Sequence, residues 1–381
     1  MTYTLNIFSN LCASYNTWPE LRTYLSSEAG GNLIIVENDE QKRAIIHYNK
    51  RVSNMSADHV RWCRSVIWNT ETNRPVAVAP PKAFDTDDTF MEKKGPLEGY
   101  MLQDYLDGVT LTVYDGDQVA SRTRFGAVGG FYSRRPFREM LGDALDGVEL
   151  KDLIPEGYTF LSVLLQHPEH RVVERIAAPA IYRLHAGRVE ADGSVTIDEQ
   201  IGGTPAAIDG PTEEQTVQAW FAELAAGRPW EWQGVVFKDG TGRRYRLRSN
   251  SYRMVRSLRG TNPRPDARFF MLRRAGLVKT YLYYYPEDKN QFWEYETNLR
   301  RITNEIYAAY CVVYKERSLE LESVNPMYQT HVRGLHGLYL ATLRPEGKTV
   351  TRAAAVEYMN GQPLPRLLFM LNFDKRSATT P

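Results

Sequence analysis

Cysteine is scarce: Cys12, Cys63 and Cys311 are the only three in 381 residues. They stand far apart and form no Cys-x-x-Cys pair, which excludes a zinc knuckle or a disulfide framework and suits a reducing compartment. Net charge is almost absent, with 47 Lys+Arg against 46 Asp+Glu giving +1. No molecule-wide field draws the chain to nucleic acid, so any such site is a local patch. No apolar run approaches the roughly 18 residues that span a bilayer, and the opening Met1-Thr-Tyr-Thr-Leu-Asn6 lacks the basic-then-apolar order of a signal peptide. The expectation is a cytoplasmic protein without a membrane partner, or one carried inside an intracellular assembly such as a viral particle. Internal repeats and low-complexity segments are also missing.

What is there is ordinary globular material, 43% hydrophobic and 24% charged. The length suffices for a main domain with a buried core and a second, smaller one. Aromatics reach 12%, with 23 tyrosines, an excess that serves cores, interfaces or base stacking.

Residues 1–90 read as a β-rich part after one short helix, whose Trp18, Leu21 and Leu25 fall at helical spacing. Two hairpins follow, one over 32–48 and one over 63–79. The segment Tyr100 to Tyr114 is a strand, a tight Asp107-Gly108 step and a second strand. Tyr114-Asp-Gly-Asp117 is a hairpin turn, because Asp-Gly supplies positive φ, and the next strand runs through Arg122 and Arg124 to Gly126. After an amphipathic helix around Phe137–Leu145 come a strand through Val163 and Leu164, a hairpin about Ala191-Asp-Gly193, and a helix over 212–227. Thr212 and Gln215 form a capping-box pattern for that helix. From about residue 260 the pattern is helical, with Tyr295, Leu299, Ile302, Ile306, Tyr310 and Val313 on one face and Tyr328, Val332, Leu335 and Tyr339 on another. The expected division is 1–260 and 261–381.

Several of these stretches carry a resemblance. Tyr105-Leu-Asp107-Gly108 is similar to the Lys-x-Asp-Gly strand of the covalent nucleotidyltransferases, with Tyr105 where the family has its nucleophilic lysine. Cys63-Arg64, Pro81-Lys82-Ala-Phe84, Pro168-Glu-His-Arg-Val-Val173, Gln233-Gly-Val-Val236 and Arg246-Leu-Arg248-Ser-Asn-Ser-Tyr252 resemble further motifs of the phage-type tRNA-repair RNA ligases. The resemblance covers nearly the whole chain. It implies an α+β fold, a nucleotidyltransferase (ATP-grasp-like) core of antiparallel sheets with flanking helices, and a small all-α C-terminal domain. By the same resemblance Arg64, Lys82, Asp107, Gly108, Arg122, Arg124, Arg246, Arg248 and Tyr252 would hold nucleotide or RNA.

The chemistry of the family is another matter. Nucleotidyl transfer needs an amine nucleophile, and carboxylates for metal and ribose. Tyr105 is a phenol, Val163 or Leu164 stands for the strand glutamate, Gln233 for the second glutamate, and Arg246 and Arg248 for two lysines, an exchange that is not conservative at a phosphate. Lys93 and Lys94 lie in a loop just before the strand. The reading is therefore a ligase-like pseudoenzyme with no catalytic residues and no metal site, binding RNA or nucleotide. Arg243, Arg244, Arg253, Arg256 and Arg259 enlarge its basic segment, and Tyr245 and Tyr252 add base-stacking surface. Two alternatives stand beside it. One is a structural component of a viral or other large assembly, with Tyr281, Tyr283, Tyr284, Tyr285 and Trp293 as a partner surface. The other is an active RNA ligase using ATP and Mg²⁺.

Overall fold

Strand formation in this chain follows the period-2 patterning, and three sheets result. The computed structural model describes residues 1–373. In chain order the strands are β1 (Thr2–Leu5), β2 (Ile34–Asn38), β3 (Arg43–His47), β4 (Val66–Asn69), β5 (Arg74–Val78), β6 (Phe84–Asp85), β7 (Tyr100–Asp104), β8 (Val109–Tyr114), β9 (Gln118–Ala120), β10 (Phe160–Gln166), β11 (Ala180–Val189), β12 (Val195–Asp198), β13 (Gly234–Asp239) and β14 (Arg244–Arg248). A six-stranded sheet has the order β1-β12-β11-β10-β8-β9. Two four-stranded sheets have the orders β6-β14-β13-β7 and β2-β3-β4-β5. The fold is α+β, and its pairings are antiparallel except for the short parallel contact of β6 with β14. The chain divides into two compact units, Met1–Arg256 and the residues from Ser257 onward.

Both expected N-terminal hairpins form, as β2–β3 and β4–β5. The Asp-Gly turn closes β8 on β9, with Asp115 and Gly116 at φ 48° and 79°. Four readings need correction. β1 and the helix Ile7–Ser14 precede the one helix expected, Trp18–Ser26. β1 forms because β12, nearly two hundred residues away, pairs with it. The strand after the Asp-Gly turn stops at Ala120 rather than reaching Gly126. The helix expected from Thr212 begins at Val217 with Thr216 as its cap, and Gln215 Oε1 accepts from the Thr212 backbone N–H in the turn before it. Finally, β7 and β8 belong to different sheets, so Asp107-Gly108 is a crossing between sheets.

Alternation assigns each face. In β10, Leu161, Val163 and Leu165 join Leu111 and Val113 of β8 in a core beneath the helix Phe137–Leu145, while Phe160, Ser162 and Leu164 point the other way. In β14, Tyr245 and Leu247 pack with Phe237, Trp220 and Phe90, leaving Arg244, Arg246 and Arg248 on the opposite face. In the second unit the long helix Lys289–Tyr310 buries Phe292, Leu299, Ile302, Ile306 and Tyr310. The helix Pro326–Leu338 buries Tyr328, Val332 and Leu335. Tyr281 and Tyr285 are buried and stacked 4.6 Å apart, so they offer nothing to a partner, whereas Tyr283 and Trp293 are exposed.

Two buried polar contacts tie the sheets together. The Lys238 ammonium of β13 lies 2.6 Å from the Glu199 carboxylate, which follows β12, with side-chain exposures of 1% and 0%. Tyr3 of β1 donates to the same carboxylate at 3.1 Å. Burial, with Arg244 nearby, pulls Lys238 down to about 8. Burial pushes Glu199 up, but Arg244, Lys238 and His185 outweigh it and hold the carboxylate below its usual range. Removing one partner leaves an uncompensated buried charge, so Lys238→Met is expected to lower unfolding free energy by about 3–5 kcal/mol; an unchanged denaturant midpoint would contradict this.

His185 of β11 makes the second contact, with Nε2 2.8 Å from the Val78 carbonyl of β5. Burial holds its imidazole down at about 4. The unfolded chain, with a histidine pKa near ~6.5, binds the extra proton between these values, so stability falls as pH drops through that window, by up to roughly 3 kcal/mol. His185→Gln should flatten this part of a urea-unfolding pH profile relative to the parent, and superposable profiles would refute the assignment.

Candidate anion-binding cleft

The two faces left over by the core, Leu164 with Thr110 on one sheet and Arg244, Arg246 and Arg248 on the other, look into one cleft of about 330 Å³. The chain crosses between the sheets at its wall. Gly108 has φ 152°, and a Cβ there would lie 2.6 Å from the Leu165 carbonyl oxygen. Gly234 has φ 136°, and its Cβ would fall 1.9 Å from the Leu247 carbonyl oxygen. Only glycine fits either place.

Eight cationic side chains line the cleft: Lys50, Arg64, Lys82, Arg122, Arg244, Arg246, Arg248 and Arg256. The carboxylates lining it are Asp104 and Asp107. Both are engaged. Asp104 accepts from Trp232 Nε1 at 2.9 Å. Asp107 is buried; its Oδ2 accepts from the backbone N–H groups of Val173 and Glu174, each at 3.0 Å, and its Oδ1 from the Tyr252 hydroxyl. Gln233, oriented with its nitrogen 2.8 Å from Asp107 Oδ1, turns its oxygen to Arg248 Nε and Nη2 at 3.2 Å. Burial still pushes the Asp107 carboxyl up against these hydrogen bonds.

Tyr105 continues the ladder beyond β7 through its backbone N–H to the Gly234 carbonyl, 2.9 Å. Arg248 Nη2 donates to its hydroxyl at 3.4 Å, with the guanidinium 5.3 Å from the ring centre. Burial alone would push this phenol up, yet Arg248, Arg246 and Arg64 outweigh it and hold it below the ordinary tyrosine value. Arg246 is also bidentate to Asp85, at 2.8 and 3.0 Å. The Lys50 ammonium is pulled down by burial and then by Lys82, Arg246, Arg122 and Arg64, the signature of cations crowding one another.

The register decides which aliphatic residue faces the cleft. Leu164 sits opposite Thr110 and lines it, while Val163 sits opposite Leu111 in the core. Of the residues expected to bind, Arg64, Lys82, Asp107, Gly108, Arg122, Arg246, Arg248 and Tyr252 come together here. Arg124 lies outside, lining a neighbouring cavity of about 430 Å³ with Phe131, Tyr132 and His170. The Tyr252 ring is buried with its hydroxyl on Asp107, and Tyr245 packs parallel to Phe90 at 5.9 Å, so neither offers a stacking face. Within the wider basic segment, Arg244 and Arg256 line the cleft. Arg243 lines a separate small cavity, and Arg259 is buried in the second unit, donating to the Tyr281 hydroxyl at 2.7 Å. Lys93 sits over the Phe90 and Tyr100 rings, at 4.8 and 5.7 Å, on the far face of the sheet. Sequence reasoning missed Lys50 and Tyr48. Arg122 donates to the Tyr48 carbonyl at 2.7 Å and lies 4.7 Å from its ring centre.

Neither a family model nor a curated protein matches this sequence. Among the described residues no cluster of three His, Cys, Asp or Glu side chains is placed to hold a metal ion. The oxygen donors lining the cleft include the Asp104 and Asp107 carboxylates and the Gln233 amide; Asp107 is taken up by four hydrogen bonds, Asp104 accepts from Trp232, and Leu164 is apolar. Among the described residues no helix is long and apolar enough to cross a membrane.

The Tyr105 surroundings give a direct test. In an alkaline absorbance titration, Tyr105→Phe should remove a tyrosinate step lying below the ordinary range near pH ~10, and Arg248→Met should move that step up. A Tyr105→Phe curve that matches the parent throughout would refute the geometry.

Proposed function

We propose that this cleft binds a phosphorylated ligand, a nucleotide or the phosphate of an RNA, on a ligase-like scaffold that does not form a nucleotidyl adduct. The observation carrying the proposal is the convergence of eight cationic side chains on one cleft whose two lining carboxylates are already engaged. Such a charge excess, in a chain of net charge +1, favours a multiply charged anion, and arginine forks match phosphate oxygens. The volume suits a small ligand, at the low end of the roughly 300–1,000 Å³ usual for such sites.

The chemistry of the residues argues against transfer. At the position where the resembled family has its lysine stands a phenol that interacts with Arg248. Lys50 and Lys82 bring amines to the cleft wall, on segments outside that strand, and no free carboxylate pair accompanies them.

Two measurements test this. ATP and a 5′-phosphorylated RNA oligonucleotide should each bind, with log K falling linearly in log salt. Lys50→Met and Lys82→Met should each weaken binding several-fold and reduce the salt slope by about one. Incubation with α-labelled ATP and Mg²⁺ or Mn²⁺, followed by denaturing electrophoresis, should leave the protein band unlabelled. A label lost in Lys50→Met or Lys82→Met would replace this reading with an active transferase, and salt-independent absence of binding would remove the ligand.

A further inference from the structure

The second unit contains a larger depression than the cleft, about 1120 Å³, with no part in the anion chemistry. Its floor is apolar: Phe269, Phe270 and Phe292 are buried there, and Leu367 closes one side. It opens to solvent past Met271, 43% exposed, and Trp293, 69% exposed. The helix Leu364–Leu371 beside it is apolar on nearly every face, and its Phe369 is 43% exposed. A helix of that composition is normally covered, and exposed large apolar side chains grouped at a depression mark an interaction surface.

The rim says what covers it. Arg273 is neutralised by Glu296, 2.7 Å away. Arg274, Lys279 and Lys289 are exposed around the opening, and none forms an ion pair among the described residues. A second copy of this chain would bring the same cations to face these, which opposes a symmetric contact. One acyl chain would leave most of the volume empty, and a nucleic acid would bury its phosphates against an apolar floor. We infer that the groove receives an acidic amphipathic helix of a partner protein, its apolar face on the exposed Met271 and Trp293 above the floor of Phe269 and Phe292 and its carboxylates against Arg274, Lys279 and Lys289. This is the helix-in-groove mode of recognition.

The test uses the whole protein and a fluorescein-labelled synthetic peptide of about five helical turns, leucine on one face and glutamate on the other. Two control peptides are used, one with lysine for glutamate and one scrambled to abolish the apolar face. Fluorescence anisotropy should show saturable binding of the acidic amphipathic peptide alone. Arg274→Glu combined with Lys279→Glu, both exposed changes that leave the core intact, should weaken it at least tenfold, and Trp293→Ala should weaken it without altering the salt dependence. Equal binding of the lysine peptide, no binding of the acidic one, or indifference to the double charge reversal would each overturn the inference. So would a dimer in analytical ultracentrifugation that Trp293→Ala dissociates, or Trp293-dependent adsorption to anionic vesicles without peptide binding.

Discussion

The Asp107 carboxylate holds the first unit's cleft together. It lies where the chain leaves one sheet for another, and it gathers the backbone of Val173 and Glu174, the Tyr252 hydroxyl and the Gln233 amide. Four donors on one buried carboxylate join the sheet crossing, the loop after β10, the entry to β13 and the helix Asn250–Arg259. An unpaired buried carboxylate would be costly, so each donor is under constraint. Gln233 illustrates the constraint. A glutamate in its place would set a second carboxylate against Asp107, whose acid is already pushed up by burial. The amide instead donates to Asp107 and accepts from Arg248, and so fixes the guanidinium that reaches Tyr105.

That guanidinium has a further consequence. Eight cationic side chains on one cleft repel one another, and the protein must absorb that repulsion. Part of it falls on Lys50, whose ammonium is pulled down by burial and then by Lys82, Arg246, Arg122 and Arg64, and part is relieved by Asp85 on Arg246. Tyr105 contributes as well. Burial would push its phenol up, but Arg248, Arg246 and Arg64 outweigh it, and its hydroxyl accepts from Arg248 Nη2.

The sequence carried much of this in its alternation. Arg244-Tyr-Arg-Leu-Arg248 reads directly as a strand with three arginines on one face, and the hairpins over 32–48 and 63–79 were visible from β-rich runs around polar turns. Register was needed to choose Leu164 over Val163, because a one-residue shift reverses every side chain. What stayed hidden depends on distant pairing. The four residues of β1 acquire strand character only beside β12, Lys50 enters the cleft from a turn with no motif of its own, and Arg259 looks like part of a basic run until its burial beside Tyr281 and Asp288 is seen. Charge counting along the chain cannot distinguish an arginine facing a cleft from one folded into a neighbouring core.

The residues around Tyr105 are coupled to one another. Tyr105 depends on Arg248, Arg248 on Gln233, and Gln233 on Asp107 and Tyr252. Groups in one hydrogen-bonded network do not contribute additively. A lysine at position 105 would add another cation among Arg64, Arg246 and Arg248 and remove the phenol that meets them, while Leu164 and Gln233 offer no carboxylate. Tyr105, Arg248, Gln233, Asp107 and Tyr252 therefore form one arrangement in which each residue is fitted to its neighbours, so that a change at one is felt at the others.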